Sequence, residues 1–345
     1  MKKSLVALAL LASLSACQNS TPAPTLADSQ LQTLADSHLA LMRQQADQLA
    51  GELNQLQQVS STYCQANAAT PSTVNEIKHA WRQSFAAWSA HQGQSGGPLD
   101  ANGLSFAFQF WPDKKDTVGK QVQRELAAVA KGEPVPDRGV VTTLNAVEYL
   151  LISDLSQQQR CLLLPGITAQ LANNSQQLQT AWQDANGYQQ QLTQMQQQGG
   201  ATVLLTEVLG QLAHRFDRIE KKLVLPLNTA SNPRPLFAEA WRSQQSLHFL
   251  RTSLNALAQE YHQGGMRAYL LSTEHQPQVL ALDEAFSEAQ TRLPAGDSLA
   301  EWLKGDNYAQ LLRFKLSLDQ LGYQLKQALP RDLGISLGFN ATDGD

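Results

Sequence analysis

Apolar residues recur every three or four positions along most of the chain, and this spacing limits the possible folds more than any other feature. Residues at such intervals lie on one face of an α-helix, which can then be buried against other helices. Because no segment alternates apolar and polar residues between hairpin turns, the sequence predicts an all-α fold. The longest stripe begins at Leu26, and similar runs follow at residues 117–130, 140–152, 162–182, 203–225, 236–262, 278–293 and 308–329.

Two short signals predict where helices begin. Thr70 followed by Pro71 breaks the first stripe and is typical of the first turn of a new helix. Asp116 or Thr117 can cap the helix predicted over residues 117–130, because both side chains can accept a hydrogen bond from the first turn.

A weak internal echo indicates that the chain consists of two halves. Ala80, Trp81 and Arg82 recur as residues 240–242, each time early in a predicted helix. A Gln-rich segment that contains glycine, residues 186–200, separates the two copies. We therefore predict two related helical bundles from an internal duplication, residues 27–195 and 196–345, which form one domain with the C-terminal tail packed on them. A ligand site is expected in the cleft between the bundles.

The N-terminus has the pattern of a bacterial lipoprotein signal. Lys2 and Lys3 make the first residues positive, residues 5–14 are largely apolar but too few to cross a membrane as a helix, and small residues precede Cys17. This pattern predicts a signal peptide over residues 1–16, a lipid on Cys17 and a tether over residues 17–26. Since Gln18 is not the aspartate that retains lipoproteins in the inner membrane, we expect an outer-membrane anchor facing the periplasm. The alternative is an ordinary secretory signal followed by an accidental cysteine.

The other two cysteines, Cys64 and Cys161, form an even pair in an oxidising compartment and predict a disulfide.

The formal net charge is −4 and the chain has no basic run, which argues against nucleic-acid partners. Phosphate-binding loops, serine nucleophile elbows and zinc-binding His-Glu-x-x-His helices are all absent from the sequence.

Glu148 is the most unusual residue in the sequence, because it lies within an apolar helical run, residues 144–151, where an unpartnered charge is costly. Arg138 precedes this run, in a proline-containing segment, and its guanidinium could pair with the Glu148 carboxylate. A buried ion pair with Arg138 and a carboxylate for a metal or substrate both remain open. Farther upstream, Asp113 ends an aromatic stretch, residues 106–111, and is a second candidate carboxylate.

Several of these motifs together resemble the imelysin-like lipoproteins. They are the lipoprotein signal, residues 110–113, 138–139, 145–151, 241–243 and 246–247, and the acid-ended C-terminus, residues 337–345. The resemblance implies an all-helical fold of two related bundles, a role associated with bacterial iron uptake, and iron-uptake proteins and the membrane as partners. The cofactor stays open, with an iron or other divalent metal ion as one candidate. The candidate ligand-binding residues are Glu148, Asn145, Arg138, Asp113, Trp81 and Arg242, with Glu148 as the candidate metal ligand.

The same family contains imelysin, a metallopeptidase of the M75 group with a Gly-x-His-x-x-Glu motif. That motif falls on Thr143, Asn145 and Glu148 here, so only the glutamate is present. A carboxylate beside an asparagine suits a harder ion than zinc, or no ion. We therefore keep three hypotheses: a lipid-anchored protein that binds a metal or small ligand between its bundles, an M75-type metallopeptidase, and a non-catalytic envelope interaction protein.

Overall fold

The computed structural model describes residues 26–337, and the side chains from residue 28. Over this range the chain is all-α, as predicted, without a β-strand. None of the helices in this range is long and apolar enough to cross a membrane. The α-helices are α1 (Leu26–Gln65), α2 (Pro71–Ser89), α3 (Gly97–Ala101), α4 (Thr117–Val129), α5 (Leu144–Ile152), α6 (Gln157–Cys161), α7 (Leu164–Gln183), α8 (Tyr188–Leu227), α9 (Ser246–Gln263), α10 (Met266–Ser272), α11 (Gln276–Arg292), α12 (Asn307–Tyr323) and α13 (Leu329–Asp332).

Helix α1 is 40 residues long and lies at the centre of the packing. It contacts α2 and α7 along its length and also contacts α8, α9 and α10. The apolar stripe that predicted this helix is its buried face, since Leu34, Leu49 and Leu56 are all fully enclosed. Burial of this continuous stripe is the main stabilising interaction of so long a helix, because helical propensity alone contributes little.

The predicted helix starts at Thr70 and Asp116 are both confirmed. The Thr70 side chain accepts a hydrogen bond from the backbone N–H of Thr73, and the Thr73 hydroxyl bonds back to the cap, which makes a reciprocal capping box. Asp116 accepts from the N–H of Gly119 at the start of α4, with a left-handed backbone (φ 53°). Each cap satisfies N–H groups that have no partner within their own helix.

The Thr70 cap gives a direct stability prediction. We expect Thr70→Ala to lower the free energy of unfolding by about 1 kcal/mol, because the first turn of α2 then loses its acceptor. Urea unfolding measures this loss, with Thr193→Ala as a matched control at an exposed position inside α8. Equal stabilities of the two variants would show that the cap does not stabilise α2.

The Gln-rich segment predicted as a boundary is helical from Tyr188 onward. It forms the first part of α8, which kinks at Gly200 (φ 59°, ψ −151°). That backbone conformation is open to glycine and strained for other residues. The division into residues 27–195 and 196–345 stays a prediction.

The helix predicted over residues 236–262 is shorter than expected. Helix α9 begins only at Ser246, and the preceding residues form turns in which Ala240 (φ 47°) and Gln244 (φ 59°) have left-handed backbones. The turns are held by tertiary contacts, because Glu239 and Ser243 point inward to buried partners on other elements. Residues 80–82 lie inside α2 while their echo lies in these turns, so the structure does not confirm the duplication.

The predicted disulfide is present between Cys64, at the end of α1, and Cys161, at the end of α6. Two other predictions fall outside the described residues. They are the lipid on Cys17 with its signal peptide and tether, and the packing of the C-terminal tail from residue 338 onward.

Candidate functional site

The Glu148 carboxylate lies on α5, and its side chain is 1% exposed. Its Oε1 atom accepts two hydrogen bonds from Ser243, one from the backbone N–H at 2.9 Å and one from the hydroxyl at 2.7 Å. Its Oε2 atom is buried without a hydrogen-bond partner. A buried polar atom without a partner is rare in native structures and commonly marks a place for a water, an ion or a ligand.

Helix α5 is fixed at its first turn, and this positions Glu148. The Thr143 side chain accepts from the N–H of Ala146 as the N-cap, and the N–H of Leu144 donates to the carbonyl of Phe108 at 2.9 Å. The indole N–H of Trp81 donates to the carbonyl of Leu144 at 2.9 Å. These bonds tie α5 to α2 and to the aromatic stretch, so the carboxylate lies on a rigid element.

Burial raises the pKa of the Glu148 carboxyl above its usual value, and the nearby charge of Glu239 adds to this shift. The two bonds from Ser243 and the charge of Arg242 oppose the shift. The Arg242 guanidinium stacks 4.5 Å from the Trp241 ring and lies 5.4 Å from the Tyr149 ring. It also forms an ion pair with Asp116, so its position is fixed from three sides.

The structure brings three predicted site residues together and separates the others. Glu148, Arg242 and Trp81 lie around the turn at Ser243. Asn145 lies one turn before Glu148 on α5 and has a structural role there. The Asn145 side-chain oxygen accepts from the N–H of Phe110 at 3.2 Å, which leaves it committed to the backbone.

Asp113 and Arg138 do not join this site. Asp113 accepts from the N–H groups of Thr117 and Val118, at 2.6 and 2.9 Å, and therefore caps α4. The predicted alternative of a buried Glu148–Arg138 pair is wrong, because the Arg138 side chain is 94% exposed and its ion-pair partner is Asp137. The proline-containing segment runs over the surface, so it carries this arginine away from α5.

A cavity of about 250 Å³ opens beside Ser243. Trp81 and Gln245 form its walls together with Ser243, and Lys78 and Arg82 add positive charge. The Gln245 side-chain oxygen is buried without a hydrogen bond. The cavity wall thus includes an acceptor without a donor, two residues along the chain from the Ser243 that holds Glu148.

The side chains around Glu148 do not fit a directly bound divalent metal ion. In the described part of the chain, no three His, Cys, Asp or Glu side chains lie close enough to hold one. The groups next to Glu148 are a hydroxyl that already donates to it and a guanidinium, which repels a cation. The arrangement instead suits a ligand that brings its own hydrogen-bond donors.

A second buried carboxylate, which was not among the predicted site residues, lies behind this site. Glu239 is 1% exposed and forms an ion pair with Lys222 of α8, with 2.7 Å between Oε2 and Nζ. Its Oε1 atom accepts from the amides of Gln92 and Gln109, at 2.9 and 2.6 Å. The signal was a glutamate between alanines in an apolar run, the same signal that identified Glu148.

Lys222 completes this buried network. Its ammonium group also donates to the hydroxyl of Ser253 at 2.7 Å and to the amide oxygen of Gln92. Burial lowers the pKa of Lys222 to about 8, although Glu239 opposes the shift. The Glu239 network and the Glu148 site meet at the same turn, residues 239–245, so the inward contacts of both carboxylates shape that turn.

Comparisons with known proteins agree with this architecture. The family model of imelysin, peptidase family M75, matches residues 42–327. An imelysin-like protein from Psychrobacter arcticum 273-4 has a solved structure with a TM-score of 0.75 at 17% identity, covering 92% of this chain and 99% of that one. A "putative iron-regulated protein A precursor" from Parabacteroides distasonis has a TM-score of 0.63 at 13% identity, covering 89% and 95%. At these identities the likeness shows the fold. No curated protein matches the chain.

Proposed function

This chain belongs to the imelysin family, and on that premise we propose that it is a lipid-anchored envelope protein that binds an iron-bearing chelate beside Glu148. The observation that carries the proposal is the pair of buried acceptors at the Ser243 turn. Glu148 Oε2 and the Gln245 side-chain oxygen both lack donors, and the adjoining cavity is lined by Gln245 and by the Ser243 that holds Glu148.

The cavity favours a small anionic ligand with hydroxyl groups. Lys78 and Arg82 place positive charge on its walls. Arg82 also forms an ion pair with Asp297, with 3.1 Å between Nη2 and Oδ2. Carboxylates of a ligand can therefore face these side chains while a hydroxyl or bound water donates to Glu148. Ferric citrate has this chemistry, since it carries carboxylates around a hydroxy-acid iron centre.

The link to iron rests on the neighbour from Parabacteroides distasonis, which is named for iron regulation. We extend that association to this chain as part of the proposal. The metal would arrive as cargo inside its chelate, which agrees with the lack of direct metal ligands around Glu148.

Anchoring is the second part of the proposal. A lipid on Cys17 would hold the protein at the outer membrane, facing the periplasm, with the tether of residues 17–26 between lipid and fold. The disulfide between Cys64 and Cys161 supports an oxidising compartment of this kind. Iron-uptake proteins of the envelope would be the partners that supply or receive the chelate.

A metallopeptidase is the second candidate, because the matched family model carries that name. It requires a metal-bound water near a general base. Digestion of a denatured protein substrate, with and without a chelator, tests it. Cleavage that the chelator abolishes and that Glu148→Gln also abolishes would favour the peptidase over the binding protein.

The variant Glu148→Gln tests the proposed binding site. We expect it to weaken ferric citrate binding by roughly ten- to a hundredfold, because a hydrogen bond to a charged group contributes about 1.5–3 kcal/mol. The amide oxygen can still accept from Ser243, so the fold should keep its stability. Isothermal calorimetry measures binding, and Glu284→Gln, an exposed change of the same kind, serves as the control.

Two results would contradict the proposal. One is the absence of ferric citrate binding by the native protein. The other is equal affinity of the native protein and Glu148→Gln, since the chelate would then bind away from this carboxylate.

A further inference from the structure

A second cavity, of about 320 Å³, lies between the end of α2, the aromatic stretch and α8. It shares no lining residue with the cavity beside Ser243. We propose that it binds a small aromatic carboxylate, with the ring against Trp111 and Phe106 and the acid group against Arg218. Cavities of this volume are typical of small-molecule sites.

Aromatic side chains make the apolar part of the cavity. Trp88 is buried at its base, where its indole N–H donates to Gln109 and its ring stacks 4.7 Å from Phe108. Trp111 stands in the wall, and Phe106 is 82% exposed at the cavity. An aromatic ring this exposed leaves its apolar surface in contact with water. A flat apolar ligand packed on the ring would remove that surface from water.

Arg218 supplies the polar end. Its guanidinium lies 4.5 Å from the centre of the Trp111 ring, donates to the Trp111 carbonyl at 3.2 Å and donates to the Gln109 oxygen at 2.9 Å. These contacts fix the plane of the group before any ligand enters. Its Nε atom is buried and makes no hydrogen bond. A fixed, unused N–H on a cation is a suitable donor to a carboxylate oxygen.

The charges next to the cavity also favour an anion. Arg218 and Lys222 are two buried cations, and Glu239 is the carboxylate that both of them face. Glu239 is in direct contact with Lys222 and acts on Arg218 only through its charge, so the positive charge of Arg218 is only partly offset. A ligand carboxylate beside Arg218 would neutralise it in a region where burial strengthens charge interactions.

Two acidic residues line the cavity, and both already have partners. Asp217 forms an ion pair with Lys326 at 2.5 Å. Asp100 accepts from the N–H of Gly96 at 2.7 Å and from the hydroxyl of Ser105. These contacts reduce the repulsion that either carboxylate exerts on an entering anion.

The wall between α2 and α8 is rigid, which favours a preformed site. Gly93 has φ 80° and packs so closely on α8 that an added Cβ would lie 2.9 Å from the Cα of Arg215 and from the Cβ of Arg218. The neighbouring Gln94 is buried with its side-chain oxygen unpaired. A hydroxyl or amino group on the ligand's ring could donate to that oxygen, which would fix the ligand's direction in the cavity.

The test titrates the full chain with 2-naphthoate and with its neutral counterpart 2-naphthamide, followed by calorimetry. We expect 2-naphthoate to bind in the micromolar to millimolar range and roughly tenfold more tightly than the amide. Arg218→Gln should remove that preference. Phe106→Ser should weaken the binding of both ligands severalfold. Leu280→Ser changes a different exposed side chain, which is 70% exposed, and should leave binding unchanged.

Circular dichroism checks the fold of each variant. If Arg218→Gln does not fold, Phe106→Ser decides, because so exposed a side chain can be changed without disturbing the core. Equal affinity for the acid and the amide would overturn the proposal, as would unchanged binding to Phe106→Ser or no binding of 2-naphthoate at millimolar concentration. None of these outcomes depends on ferric citrate binding at Glu148.

Discussion

Replacing both Cys64 and Cys161 with serine is expected to lower the free energy of unfolding by about 4–5 kcal/mol. The two cysteines are 97 residues apart in sequence, and a cross-link that closes a loop of about this length restricts the unfolded chain by about that amount. The bond joins the end of α1, the central helix, to α6. Without this bond, the segment between the two cysteines is no longer restricted in the unfolded state.

Urea unfolding of the double variant measures the effect. The native protein with its disulfide reduced is the matched control, since it lacks the same cross-link without any substitution. Both should unfold at a similarly lowered urea concentration. A loss below about 1 kcal/mol in both would mean that the unfolded state retains structure that the cross-link does not restrict.

Lys222→Met is expected to cost about 3–5 kcal/mol of stability, because it removes the cation in direct contact with the buried Glu239 carboxylate, on which Arg218 acts only through its charge. Methionine fills a similar volume, so the loss reports mainly on the unpaired carboxylate. Adding Glu239→Gln should recover much of the loss, since the uncompensated charge is then removed.

The exposed pair formed by Lys315 and Asp319 provides the control for this prediction. Lys315→Met should change stability by less than about 1 kcal/mol, because solvent screens an exposed pair. Thermal and urea unfolding of the three variants give the comparison. A Lys222→Met variant as stable as Lys315→Met would show that water reaches Glu239.

Much of the fold could be predicted from helical spacing. The stripe that begins at Leu26 became the buried face of α1, and the cap at Thr70 lies where local hydrogen bonding places it. These features depend on neighbours along the chain, which a sequence displays directly. The turns before Ser246 depend instead on contacts with Glu148 and Lys222, which lie far away in the sequence.

The site was partly predictable for the same reason. Glu148 and Arg242 were identified as candidates, and the structure places them near one another. Ser243, which holds the carboxylate, is 95 residues away in sequence, and nothing local marks a serine as a partner. Arg138 was assigned by closeness in sequence, but a surface segment separates it from α5.

The proposed function requires that a chelate occupies the cavity beside Ser243 and contacts Glu148. Carbon-13 NMR of protein labelled at glutamate carboxyl carbons tests it, with Glu148→Gln identifying the Glu148 signal. Gallium citrate replaces ferric citrate, because it is diamagnetic. We predict that the Glu148 signal titrates above the usual glutamate range in the free protein, as burial requires, and shifts when gallium citrate is added. A Glu148 signal that stays unchanged while the chelate binds would contradict the proposed site.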